Sequence, residues 1–232
     1  MIFKLKTLFI VPSCVNFDPS IELDYSPVRS LYSASERFNQ LIESISSIRQ
    51  YCPSSDIIVS ECSNLSDEEI KKIKSKADYL ITPSQDNDYI FNFFKNHPNK
   101  SHAESFLLLK TLFYLKNIQY PLYDIYFKMS GRYKLNNKFN VHNHVNHEFN
   151  CKKHNTFEDG IFTTLFSFNK SFFDLFVDSL LATHSFTTNN YPPYVGFSLE
   201  TNMLYGLHDR MNFLDELGVE GNFGPDGEFH SE

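Results

Sequence analysis

The sequence predicts an α/β protein with a mostly parallel central sheet flanked by helices, and three observations carry that reading. Short apolar runs rich in β-branched residues alternate with segments whose apolar residues recur at helical spacing. Ser-x-x-Glu signatures, which let side chain and backbone cap each other at a helix start, stand at Ser33/Glu36, Ser66/Glu69 and Ser101/Glu104. The 232 residues suffice for one substantial core and contain neither an internal repeat nor a linker-like tract, so a single domain over 1–232 is expected.

Thr7 to Val15 is the first expected strand. Its apolar run is short, broken by Pro12 and followed by no small-residue cleavage site, so it reads as a core strand and not as a signal segment. The first helix starts at Ser33, carries Phe38, Leu41, Ile42, Ile45 and Ile48 on one face, and stops before Pro53. Asp56 to Cys62 is a second strand; Ser66 opens a helix with Ile70, Ile73 and Ala77 inside; Ala77 to Thr82 is a third strand. Ser101 and Glu104 are expected to cap a further helix, with Leu107, Leu108, Leu112 and Leu115 toward the core. Tyr123 to Tyr133 is a buried strand running into Ser130-Gly131-Arg132, a turn that carries a permanent cation. This alternation joins parallel strands by right-handed crossovers, so residues 1–133 read as a Rossmann-like nucleotide-binding half.

Residues 134–232 read as a smaller half. A polar, His-rich stretch from Asn136 to Cys151 precedes a strand at Gly160 to Phe168 and a helix from Asn169 to about Thr183, whose core face is Phe172, Phe173, Phe176, Val177 and Leu180. Thr187 to Gly196 is a loop, Ser198 starts a short helix, and Gly218 to Gly227 reads as a mobile tail.

The formal charge of −7 excludes a general nucleic-acid binder, because a face that neutralises phosphates would have to be built against the net field. Any anion site must be local. No segment reaches the roughly 18 apolar residues of a membrane span. Four scattered cysteines without Cys-x-x-Cys spacing suit a reduced, cytoplasmic protein. Gly-x-Gly-x-x-Gly and P-loop motifs are absent, which removes dinucleotide and Walker-type phosphate binding.

The order SPVRSLYSASERFNQLIESISSIRQYCPSSDIIVSE, NKSHAES, FKMSGRYKL, SLETNML and a Gly-rich end resembles the small GT-A-type glycosyltransferases of bacterial surface-polysaccharide and viral gene clusters. The resemblance spans most of the chain. It implies a nucleotide-sugar-dependent transferase with a glycan acceptor, acting in polysaccharide or glycoprotein glycan synthesis. It also implies that Ser13 ends the first strand beside the nucleotide, that Arg37 projects from the first helix, and that Glu61 at the end of the second strand accepts ribose or base hydrogen bonds. The plain alternatives are an ion pair of Arg37 with Glu36 or Glu43 and a loop role for Glu61.

Asn99, Lys100 and Ser101 stand at a helix start, where backbone N–H groups and the helix dipole favour an anion and Lys100 adds a full charge. Transferases of this type hold Mn2+ or Mg2+ with an Asp-x-Asp after the fourth strand, because hard carboxylate and diphosphate oxygens together complete an octahedral shell. Here that place reads Ser130-Gly131-Arg132, which suggests that Arg132 and Lys128 neutralise the leaving diphosphate directly. Asp86-Asn87-Asp88 has the spacing but follows the third strand. Inversion at an anomeric carbon needs a carboxylate to deprotonate the acceptor hydroxyl, and Glu200 and Asp159 are the candidates. Two other readings compete: a non-catalytic carbohydrate-binding or assembly module on the same fold, and a zinc-dependent hydrolase using His142, His144, His147, Cys151 and His154.

Overall fold

A computed structural model describes residues 5–23, 26–83, 91–92, 95–118, 123–153, 160–189, 207–222 and 229–232. In chain order its main elements are β1 (Thr7–Ser13), α1 (Ala34–Tyr51), β2 (Asp56–Glu61), α2 (Asp67–Lys74), β3 (Tyr79–Ile81), α3 (Lys100–Asn117), β4 (Ile125–Met129) and β5 (Tyr133–Leu135). There follow β6 (Phe149–Lys153), β7 (Ile161–Asn169), α4 (Phe173–Asn189), β8 (Met211–Phe213), β9 (Val219–Asn222) and β10 (Phe229–Ser231).

Two of the helix starts form as their sequences dictate. Ser33 Oγ accepts from Glu36 N while Glu36 Oε2 accepts from Ser33 N at 2.8 Å, and Ser66 and Glu69 repeat the exchange at α2. All five stripe residues of α1 are buried. The third start differs from expectation. α3 is capped by Asn99, whose side chain accepts from His102 N at 3.2 Å, so Ser101 lies inside the helix and Glu104 is released from capping. Ala77 likewise falls beyond the end of α2, buried in the turn to β3.

The central sheet has the order β3-β2-β1-β4-β7-β6-β8. β3, β2, β1 and β4 pair in parallel, with Ser13 opposite Glu61 and Ile10 opposite Lys128. β7 pairs antiparallel with both β4 and β6, and β8 runs parallel to β6, so β7 alone reverses the sheet's direction. Alternation along the strands divides the core in two. Leu8, Ile10 and Ile58 face Leu108 and Leu112 of α3, Phe176 of α4 and Phe172 in the turn before α4. Phe9, Val11, Ile57 and Val59 face Leu41, Ile45 and Ile48 of α1.

Part of the expected mobile tail is instead sheet. β9 pairs with β5 (Tyr133 opposite Gly221) and with β10, forming a three-stranded sheet. Gly218 precedes it at φ 70°, and a Cβ there would lie 2.2 Å from the Phe139 nitrogen, so only glycine fits. The centre of the His-rich stretch is a short 3-10 turn, Val141–His144. His144 is buried with Nδ1 2.8 Å from Ser167 Oγ and its ring 4.9 Å from Phe127, and burial pushes its pKa down to about 4. His142 and His147 are exposed, and Cys151 is buried within β6. Among the described residues these groups do not gather into a metal-ligand cluster, and His154 lies outside them.

Candidate functional site

Parallel strands end on one edge, and the loops that follow them frame a crevice there. In this chain the crevice is bounded by the ends of β1 and β4 and by the N-terminal turns of α3. Ser13, Cys14, Phe17, Cys62, Glu104, Leu107 and the Ser130-Gly131-Arg132 turn line it, together with five cations: Arg29, Arg37, Lys95, Lys100 and Arg132. Gly131 allows the turn to lie flat on β1. Its nitrogen donates to Pro12 O at 3.3 Å, and an added Cβ would meet Ser13 Cβ at 3.3 Å and Leu41 Cδ1 at 3.1 Å.

Each cation is positioned by chain segments distant in sequence. Arg37, one turn into α1, donates from Nε to Cys14 O at 2.9 Å and from Nη1 to Ser30 Oγ at 3.3 Å. Arg29 Nη2 donates to Lys95 O at 2.7 Å and His97 O at 3.0 Å. Both guanidiniums lie over the Phe17 ring, at 4.8 and 5.5 Å from its centroid. Lys100 Nζ donates to Arg29 O. Arg132 Nη1 is buried and has no hydrogen-bond partner among the described residues.

Crowding of like charge shows in the acid–base behaviour. Burial, then the neighbouring charges of Arg132, Arg37 and Arg29, push Lys100 down to about 7. Burial first, and Arg132 next, lowers Arg37 to about 10. Such a cluster of buried cations suits an anion, and its donors have the geometry to serve one with several oxygens.

Glu104 is the one carboxylate among the described lining residues, and its charge is already committed. It forms an ion pair with Lys128, which is fully buried, and its Oε1 also accepts from Ser130 Oγ at 3.1 Å. Lys128 further donates to Ser130 Oγ at 2.9 Å and to Thr163 O.

The expected site residues therefore separate. Ser13, Arg37, Lys100 and Arg132 meet in one cavity. Lys128 is not among the lining residues: its side chain is fully buried and forms the ion pair with Glu104. Glu61 does not line it either. It is fully buried, and its Oε1 holds the chain after β1 by accepting from Val15 N at 3.0 Å and Ser63 N at 2.8 Å. Asp86, Asn87, Asp88, Asp159 and Glu200 lie outside the described residues. Sequence reasoning missed Arg29 and Lys95. Arg29 sits in the SPVRSLY motif but without a periodic pattern to single it out, and Lys95 has no local signal.

No protein-family model matches this chain, and no curated protein resembles it in sequence. Solved structures do resemble it in fold. The glycosyltransferase GlyE of Streptococcus pneumoniae TIGR4 superposes with a TM-score of 0.54 at 10% identity, over 91% of this chain and 46% of GlyE. This chain thus spans about half the length of that protein. The galactosyltransferase LgtC, in complex with donor and acceptor sugar analogs, gives 0.52 at 7% identity over 89% of this chain and 72% of LgtC. Core-mannan synthase A of Aspergillus fumigatus, in its Mn/GDP form, gives 0.52 at 9% identity over 95% and 75%. The fold is the GT-A glycosyltransferase fold that the motif order implied.

Proposed function

We propose that this protein is a glycosyltransferase that moves a sugar from a nucleotide-diphosphate sugar to a glycan acceptor in surface-polysaccharide or glycoprotein glycan synthesis. The observation that carries the reading is the group of five cations at the carboxyl edge of β1 and β4, with a buried Arg132 Nη1 that has no partner among the described residues. A departing nucleoside diphosphate gains negative charge as the glycosidic bond breaks. Fixed donors aimed at that charge in a site shielded from water stabilise the transition state more than the ground state.

Among the described residues, the place after the fourth strand offers no ligand set for the hard divalent cation that enzymes of this fold use. The Ser130-Gly131-Arg132 turn offers no carboxylate, and Glu104 is spent on Lys128. The proposed chemistry therefore assigns charge neutralisation to Arg37, Lys100 and Arg132. Glu200 or Asp159 is proposed as the base that takes the acceptor hydroxyl proton.

Thermal-shift and calorimetric titration with UDP, GDP, CDP and dTDP, and with their sugars, with and without manganese, tests this directly. At a hundred times its dissociation constant a true ligand adds about 2.7 kcal/mol. Arg132→Ala is expected to weaken nucleotide-diphosphate binding about 10- to 100-fold, as loss of charge-assisted hydrogen bonds worth about 1.5–3 kcal/mol implies. Unchanged affinity in that variant removes Arg132 from the site. Glycan binding with indifference to every nucleotide makes the chain a carbohydrate-binding module.

A further inference from the structure

Cys14 follows the end of β1 and Cys62 follows the end of β2, and the register that sets Ser13 opposite Glu61 places the two cysteines side by side. Cys62 N donates to Ser13 O at 3.0 Å, which fixes that juxtaposition. One ligand atom each from Cys14, Glu61 and Cys62 lies within 4.8 Å of the other two. A second observation points to a missing partner: Glu61 is fully buried, its Oε1 is used, and its Oε2 has no hydrogen-bond partner among the described residues. A buried carboxylate oxygen without a partner is costly unless something completes it.

We propose that Cys14, Glu61 and Cys62 form a zinc site, with two thiolates and Glu61 Oε2 as ligands and a water as the fourth ligand on the cavity side. The ligand chemistry fits zinc better than magnesium or manganese, because two sulfurs and one carboxylate form a soft-to-borderline set. Zinc bonds of about 2.0–2.3 Å put tetrahedral ligand atoms about 3.3–3.8 Å apart, so the three groups close by about 1 Å on binding. Cys14 and Cys62 both line the cavity, which leaves the fourth position open toward it.

The charge balance explains how a dication is held next to Arg37 and Lys100. Before binding, two neutral thiols and one carboxylate carry a net charge of one negative unit. Binding releases both thiol protons to solvent as the dication enters, so the net charge is unchanged and the cations around it meet no new repulsion. This site lies across β1 from the Ser130-Gly131-Arg132 turn and does not depend on the nucleotide-sugar reading.

The test uses the full chain, reduced with a non-thiol phosphine and freed of metal, titrated with cobalt(II) as a spectroscopic substitute for zinc. One cobalt per chain with intense visible bands and a thiolate-to-metal charge-transfer band, displaced by zinc, is expected. Both features should disappear in Cys14→Ser/Cys62→Ser. Absence of the bands in the wild type, or their persistence in the double variant, overturns the proposal. If that variant does not fold, alkylation of half-buried Cys14 in the wild type decides: zinc should block it, and an unchanged rate overturns the site. A Cys14–Cys62 disulfide formed in air with no metal uptake after reduction also overturns it.

Discussion

Lys100 shows how one residue's surroundings set the behaviour of the cavity. Burial and the neighbouring guanidiniums bring its pKa down to about 7, and the proposed diphosphate would favour the charged form. The sign follows: binding above pH 7 takes up a proton, so affinity is highest below pH 7 and falls by at most about tenfold per unit as pH rises toward 9. Calorimetry of UDP in buffers of different ionisation heat should detect that proton, and Lys100→Met should lose both the uptake and the slope. Glu104 carries a different expectation. Glu104→Ala leaves a buried Lys128 ammonium without its counter-ion and should cost about 3 kcal/mol in urea denaturation, most of which Glu104→Ala/Lys128→Met should recover. Lys100 and Arg132 were singled out by their position at element ends and Arg37 by the family resemblance, and all three line the cavity. Lys128 is buried against Glu104 instead, because period-2 alternation tells which face a residue takes and not what that face meets.

At the level of elements, legibility followed how local the determining interactions are. α1 and α2 were readable because a capping box satisfies its own donors within four residues. α3 offered two overlapping starts, Asn99 and Ser101; the helix starts at Asn99, and Glu104 pairs with Lys128 on β4 instead of capping. β9 was unreadable for the opposite reason: Glu220, Gly221 and Asn222 have poor strand propensity, and pairing with β5 supplies the stability instead. Gly218 immediately precedes that strand, and Gly218→Ala should destabilise the protein by at least about 1–2 kcal/mol, read as a lowered midpoint of thermal unfolding. The His-rich segment shows the same limit: its composition suggested ligands, whereas His144 is a packing residue against Phe127 and Phe139.

Across the whole molecule, an acidic chain of net charge −7 concentrates five cations from positions 29 to 132 in one crevice. The alternation of strands and helices made the parallel half legible, because topology follows from pattern. The convergence of Arg29 and Lys95 on the cavity was not legible, since it arises only when loops far apart in sequence meet. Among the described residues no helix is long and apolar enough to cross a membrane. A cationic cavity within a negative envelope makes binding sensitive to ionic strength: exposed charges farther apart than about 8–10 Å are screened at 0.1–0.15 M salt, while the buried donors are not. Nucleotide on-rates should therefore change with added sodium chloride more than off-rates do, measured by stopped flow.

The pairing of Glu104 with Lys128 has a practical corollary. With the Glu104 carboxylate paired to Lys128, the described lining of the crevice presents no free carboxylate, so sulfate, citrate or inorganic phosphate in a preparation should compete for the same donors. Binding measurements on this protein belong in monovalent, weakly coordinating buffers, where an empty crevice and a blocked one can be told apart.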